Sequence, residues 1–457
     1  MTLLTRYVSL VTASNDAFAQ ARSAERALEL SLAMPACVGR HTVTGALCAL
    51  GQSDQDWSGA YKFFNRSEWD PAVRFEPVLD HYIERFPSGP IAIAVDDTKG
   101  RKTGKKIDSA FWQRDPLSPP FHTNLIWGQR FLHLALIFPL HRSDSSSARS
   151  IPVRFQDAPV VKKPGARGTP AQWEEYRIRS REQNLSTQAR ATALELRREF
   201  DQRGQNHRHL LLVGDGSFCN RALFREPLDR IHLLTRARKD ARLCMPAPQD
   251  SRKTYDPNLF TPESVRQDDA IPWKQTKIFF GGKRRKIRFK VVPNVLWRRG
   301  SGPRPLRLIV IAPVPYKLSP NARWNYREPA YLLTDDLRTA PTVLLQAYFD
   351  RWQIEVNHRD LKTNFGLTDP QVHSHKAVPR IPAFIASCYS LLLLAALLEF
   401  GPSRTADYGP LPKWRRPSSR PSIEDILRKL RLELDETRDS AGSPSLTAKS
   451  LALARAA

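Results

Sequence analysis

The sequence predicts an α/β protein: a sheet with parallel members, interrupted by a mainly β insertion, with a helical segment before it and a short tail after it. Three observations carry that prediction. Two uninterrupted apolar runs of strand length, IAIAV before Asp96 and HLLLV before Gly214 and Asp215, are separated by a long charged segment of helical character. A strand, helix, strand succession of this kind gives parallel neighbours. The third is a set of alternating runs, HLLTRA, KIRFKVV, LRLIVIAPV and AYLLT, lying between about 230 and 330, where a period of two marks half-buried strands.

The segments follow in order. Residues 1–89 read as helices, with apolar residues at helical spacing from Phe18 to Leu32, and form an expected N-terminal domain. Within them DWSGAYKFFNRSEW has the aromatic and basic mixture of a DNA-facing surface, although aromatics of a helical core would look the same. The character changes at Pro90. Residues 90–229 and 331–400 make the expected α/β core, with LIW and FLHLALIF as further strands, residues 143 to 170 as a surface loop, and Trp173 to Gln202 as one charged helix. Residues 230–330 are the β insertion. Residues 401–457 are the tail, with one short amphipathic helix from Ser422 whose Ile423, Ile426, Leu427 and Leu430 share a face, and an expected disordered end over the last twenty residues.

Charge narrows the function. Lys and Arg total 71 against 46 Asp and Glu, a net charge of +25 over 457 residues, and that balance favours a polyanionic partner, nucleic acid first, over a neutral metabolite. A membrane partner is not expected. Ile381 to Leu398 is uncharged and long enough to span a bilayer, but it reads as a helix buried on all sides. Cys37, Cys48, Cys219, Cys244 and Cys388 are scattered without zinc-type spacing, so reduced thiols are expected. With no export signal at the start, the expected location is cytoplasmic, at the nucleoid.

Chemistry concentrates in YFDRWQIEVNHRDLKTNFG. On one helix, Arg351, Glu355 and Lys362 would fall at roughly 300°, 340° and 320° from Tyr348, a stripe about 60° wide, while Asp350 and Asp360 point elsewhere. One carboxylate flanked by two cations and a phenol is what holding a metal ion beside a DNA phosphate requires.

That spacing resembles the Y-x2-R-x3-E-x6-K signature of the DDE insertion-sequence transposases, whose catalytic domain resembles ribonuclease H. The resemblance covers about residues 50 to 400 and implies that residues 90–229 and 331–400 are a ribonuclease-H-like catalytic core, with the β insertion before the catalytic glutamate helix, and that residues 1–89 are a DNA-binding domain. It implies that Glu355 is the third metal-binding carboxylate and that Tyr348, Arg351 and Lys362 meet the DNA strand. It also leads one to expect an aspartate in an Asp-x-Thr setting on the first core strand, and VDDTKG offers Asp96 with Thr98, or its neighbour Asp97. Asp96 is chosen on the spacing. The second aspartate is Asp215 in LLLVGDGSF.

By this resemblance Asp96, Asp215 and Glu355 are catalytic and hold two Mg²⁺ or Mn²⁺ ions, oxygen-only ligation disfavouring Zn²⁺. The activity implied is cleavage of double-stranded DNA at terminal inverted repeats and joining to target DNA, by a homodimer assembled on DNA. A hairpin intermediate would use one of Trp273, Trp297 or Trp324 to stack a flipped base. GRKTGKK from Gly100 and GGKRRKIRFK from Gly281 are candidate phosphate-contacting stretches. Two alternatives stand beside the transposase: a nuclease of the same fold without strand transfer, and a non-catalytic DNA-binding derivative.

Overall fold

The structure is a computed structural model that describes residues 1–54, 56–115, 117–119, 121–140, 148–319, 321–416 and 418–441. The N-terminal segment folds into α1 (Leu3–Thr12), α2 (Ala21–Ala36), α3 (Val43–Ala49), α4 (Ser58–Asn65) and α5 (Glu76–Arg85). Thr2 and Thr42 cap α1 and α3, their side chains accepting from the amides of Thr5 and Gly45. Of the aromatics in DWSGAYKFFNRSEW, Phe63, Phe64 and Trp69 are core, packed around Phe384. Trp57 alone of the set is largely exposed, at 58%.

The sheet begins with β1 (Ile91–Arg101), β2 (Phe111–Arg114), β3 (Leu125–Phe138) and β4 (Arg149–Asp157). Then come α6 (Pro170–Glu182), α7 (Leu185–Gln202), β5 (Leu210–Gly214), α8 (Arg221–Phe224) and β6 (Ile231–Arg236). β1 runs antiparallel to β3 and parallel to β5, which is in turn parallel to β6. The ribonuclease-H-like reading of the core is consistent with this mixed arrangement.

Further along lie β7 (Leu243–Pro246), β8 (Tyr255–Phe260), α9 (Pro262–Gln267), β9 (Lys274–Phe280), β10 (Lys283–Trp297), β11 (Gly302–Ile311), the small pair β12 (Pro315–Tyr316) and β13 (Asn325–Tyr326), and β14 (Ala330–Thr334). Apart from β12 and β13, these strands extend the same sheet, in the order β2-β3-β1-β5-β6-β14-β11-β10-β7-β8, with β4 on β3 and β9 on β10. The chain closes with α10 (Pro341–Asp350), α11 (Gln353–Thr363), α12 (Ala377–Phe400) and α13 (Ile423–Ala441).

α12 explains the apolar stretch. It is the one helix among the described residues long and apolar enough to cross a membrane, and 94% of its most apolar window is buried, where it packs on α1, α2, β4 and α13. The helix from Ser422 is longer than its motif suggested. Ile423, Ile426, Leu427 and Leu430 are buried together with Leu434, and Glu433 accepts the Leu4 amide at 2.7 Å, tying the two ends of the chain together. Most of the final twenty residues lie outside the described residues.

Three local expectations are corrected. Residues 149–157 are not loop but the buried strand β4, which pairs only with β3. Its Pro152 sits opposite Ala135 beside a register shift, an irregularity of the kind at which strands tolerate proline. LIW and FLHLALIF form one continuous β3. The charged helix is two helices, because the Asn184 side chain accepts the Ser186 amide and caps α7 afresh.

Candidate active site

Asp96 and Asp97 lie in β1, and successive side chains of a strand point to opposite faces. Asp96 is opposite His133 of β3, and its Oδ1 accepts the Asp97 amide at 2.8 Å. Asp215 follows β5, which runs parallel beside β1, so its carboxylate emerges at the same end of the sheet. Its Oδ1 accepts from the Ser217 amide and hydroxyl, at 2.9 and 2.5 Å, which fixes the turn after the strand.

The third carboxylate comes from α11, which packs across β1 and β4. The expected single helix is broken into α10 and α11. At the joint Trp352, Ile354 and Glu355 donate to Phe349, Arg351 and Trp352, three residues back in each case, a tightened turn of the 3₁₀ kind. Arg351 and Trp352 keep right-handed helical dihedrals, so the polar face persists across the break. Tyr348, Arg351 and Glu355 still share one electrostatic neighbourhood with Asp215.

Arg351 joins the site. Its guanidinium lies 3.5 Å from Asp96 Oδ2 and 3.3 Å from Glu355 Oε1. Asp97 feels Arg130 and Lys99 first, and then Asp215 and Lys362. Burial pushes Asp96 up to about 7; the Arg351 charge opposes that rise, and the Asp215 charge adds to it. Burial likewise raises Glu355, against the pull of Arg351. Lys362, lowered by burial, sits in the field of Asp97, Asp115 and Asp96.

These carboxylates fit a divalent cation. Their donors are all oxygen, and one guanidinium leaves Asp96 poorly stabilised as an anion, a deficit that a divalent ion would relieve. The set Asp96, Asp215 and Glu355 could hold such an ion, with Asp97 one residue away.

Two residues under the site escaped the sequence reading. His133 and His358 are packed ring to ring, with centroids 5.1 Å apart. Burial drives His133 down to about 3 and His358 well below its usual value. They form a neutral wedge between β3 and α11, behind Asp96 and Glu355. The only signal was a lone polar residue inside FLHLALIF.

The basic stretches divide between structure and surface. Lys102 is buried and donates to the carbonyls of Thr368 and Pro370, so it is not free for a phosphate. Lys290 likewise donates to the carbonyls of Val265, Arg266 and Asp268. Lys283, Arg284 and Lys286 are exposed, at the tip of the β9–β10 hairpin. Its turn residues Gly281 and Gly282 both take positive φ, 59° and 78°, which a two-residue primed turn requires. Phe280 of the hairpin stacks on Phe349 at 4.7 Å, which sets the basic tip beside the helix carrying Tyr348.

Carboxylates at the strand ends of a mixed sheet, with a helix across them and cations around them, have the composition that metal-dependent phosphodiester chemistry calls for. Residues 15–304 match the family described as DDE superfamily endonuclease. The chain belongs to that family, and with it to the DDE-type transposases and nucleases that act on DNA and generally use divalent metal ions. The match contains Asp96 and Asp215 and ends before α10 and α11, the helices that carry Tyr348, Glu355 and Lys362. No curated protein matches the chain.

Proposed function

We propose that this protein is a transposase that cuts DNA at the ends of a mobile element and joins them to a target. Asp96, Asp215 and Glu355 are the metal-binding triad. The observation that carries the reading is the Arg351 bridge, which gathers a strand carboxylate and a helix carboxylate beside the loop of Asp215. That bridge also supports Asp96 over Asp97.

Two Mg²⁺ or Mn²⁺ ions bound there would neutralise the scissile phosphate and lower the pKa of the attacking hydroxyl. The chain's own residues do the rest. Asp96, Asp215 and Glu355 would hold those ions. Arg351 and Lys362 offset the charge of the phosphate, with Arg236 near Tyr348 and Arg130 and Lys99 near Asp97 extending the positive rim. Water attacking the scissile phosphorus displaces the 3′-oxygen, giving a 3′-hydroxyl and a 5′-phosphate; that 3′-hydroxyl then attacks a target phosphodiester, forming the joined strand and releasing a target 3′-hydroxyl, so no covalent protein intermediate is needed.

Assembly on two element ends implies a homodimer on DNA, working at the nucleoid. Among the three insertion tryptophans, Trp273 and Trp297 are packed against the core, whereas Trp324 is 59% exposed with Lys317 over its ring. Exposure supports Trp324 as the base-stacking residue if the donor flank forms a hairpin.

Product analysis on linear DNA bearing the element's ends tests this reading. Wild type with Mg²⁺ should give 3′-hydroxyl ends and joined products, both abolished by EDTA. Asp96→Asn and Asp215→Asn should lose both, and Asp97→Asn should retain cleavage within about tenfold. Cleavage without joined products would identify a nuclease instead. Tight binding without cleavage would identify a DNA-binding derivative.

The hairpin tip gives a separate expectation. If Lys283 and Lys286 each meet a phosphate, replacing both with Ala should flatten the slope of log K against log salt by about 1.8, at ~0.9 per contact. An unchanged slope in an equilibrium binding titration would place the tip off the DNA.

A further inference from the structure

A second cluster lies at the far end of the sheet. His209 directly precedes β5, His232 lies near the start of β6, and Asp336 follows β14. Asp215 and His209 bracket β5, six positions apart along extended chain, or about 20 Å. The cluster is therefore outside the carboxylate site.

One ring nitrogen from each histidine and a carboxylate oxygen of Asp336 all lie within 4.8 Å of one another. Asp336 is 1% exposed. Its Oδ1 accepts the amides of Arg338 and Thr339, at 2.9 and 2.8 Å. Its Oδ2 is buried without a hydrogen bond, with His209 Nε2 3.5 Å away. That separation is close to the ~3.4 Å edge of a tetrahedron with bonds of ~2.1 Å.

The histidine rings meet edge to face, with centroids 4.9 Å apart, and their side chains are 32% and 35% exposed, which gives an ion access and leaves room for water as a further ligand. Asp335 accepts from the Leu233 amide and from Arg304, and its Oδ1 lies 3.6 Å from His232 Nδ1, the place of an outer partner that orients a ligating ring.

We infer that His209, His232 and Asp336 form a zinc site, distinct from the catalytic carboxylates in place and in chemistry. Two imidazoles and one carboxylate suit Zn²⁺, whereas Mg²⁺ prefers all-oxygen sets. The bound ion clips together β5, β6 and the turn after β14. That turn is where the chain leaves the inserted strands and enters α10, so the ion fixes the approach to the helices carrying Tyr348 and Glu355. An ion that binds only the assembled junction adds its binding energy to folding.

The test uses the full chain with Asp96→Asn and Glu355→Gln, so that the carboxylate site is disabled, and titrates it calorimetrically with Zn²⁺. The expected result is about one Zn²⁺ per chain, with a melting temperature raised by Zn²⁺ and not by Mg²⁺. Adding His209→Gln or His232→Gln should weaken binding by more than the ~100-fold that loss of an outer-shell partner can give. These half-exposed histidines are chosen because Asp336 also holds its turn, so its replacement could simply unfold the junction. Absence of zinc uptake, or uptake unchanged in the folded histidine variants, would overturn the site and leave a plain histidine–aspartate ion pair.

Discussion

Glu355→Gln should reduce strand cleavage by at least ~10³-fold, about 4 kcal/mol of transition-state stabilisation, while DNA affinity stays near wild type. The substitution keeps the shape of the side chain and removes its charge. Arg351 retains Asp96 as a partner at 3.5 Å, so the joint between α10 and α11 should hold. No other carboxylate of these helices can take over. Asp360 is engaged by Arg359 and by the Tyr389 hydroxyl, and Asp350 accepts from Gln346. Removing one negative charge beside a polyanion does not weaken non-specific attraction. The pair of measurements is cleavage under single-turnover conditions and binding by titration at fixed salt. Surviving cleavage would remove Glu355 from the triad, and a parallel loss of binding would mean that the variant had lost its fold.

The places of the proposed carboxylates in the fold were legible because each is announced locally. Asp96 and Asp215 end apolar runs that could only be buried strands, and the two strands lie side by side in parallel. Glu355 stands in a periodic pattern with Arg351 and Lys362, and the angular argument survives the break after Asp350 because the two intervening residues stay helical. What was not legible depends on segments distant in sequence meeting in space. β4 looked like a loop because Pro152 and its flanking Ser and Arg outweigh a short apolar alternation until β3 is there to pair with it. The His133–His358 pair joins a strand to a helix, and neither residue has a spacing partner that would flag it. Lys102 and Lys290 read as phosphate contacts from charge alone, yet backbone carbonyls of distant turns claim both.

Asp96→Asn should stabilise the metal-free protein at alkaline pH and have little effect in mild acid. Asp96 is raised from its ordinary value of 3.8 to about 7, burial being the main cause. For a group raised on folding, the stability contribution is fully present below the unfolded-state value and is lost as pH rises through the folded one. Wild type should therefore lose stability between about pH 4 and 7, approaching ~4 kcal/mol as an upper figure. The side chain is 14% exposed, so solvent screening removes only part of that. Asn carries no charge to bury, and the variant should pull ahead as pH rises. The lost pairing with Arg351 offsets some of the gain, which is why the difference between pH 5 and pH 8 is more informative than either value alone. Divalent ions should close the gap, because they stabilise the ionised wild-type site and find one fewer ligand in the variant. Melting curves in EDTA and in Mg²⁺ at the two pH values measure all four terms. A variant less stable than wild type at pH 8 in EDTA would show that Arg351 compensates the Asp96 charge fully. The argument that this site needs a divalent ion would then lose its electrostatic basis.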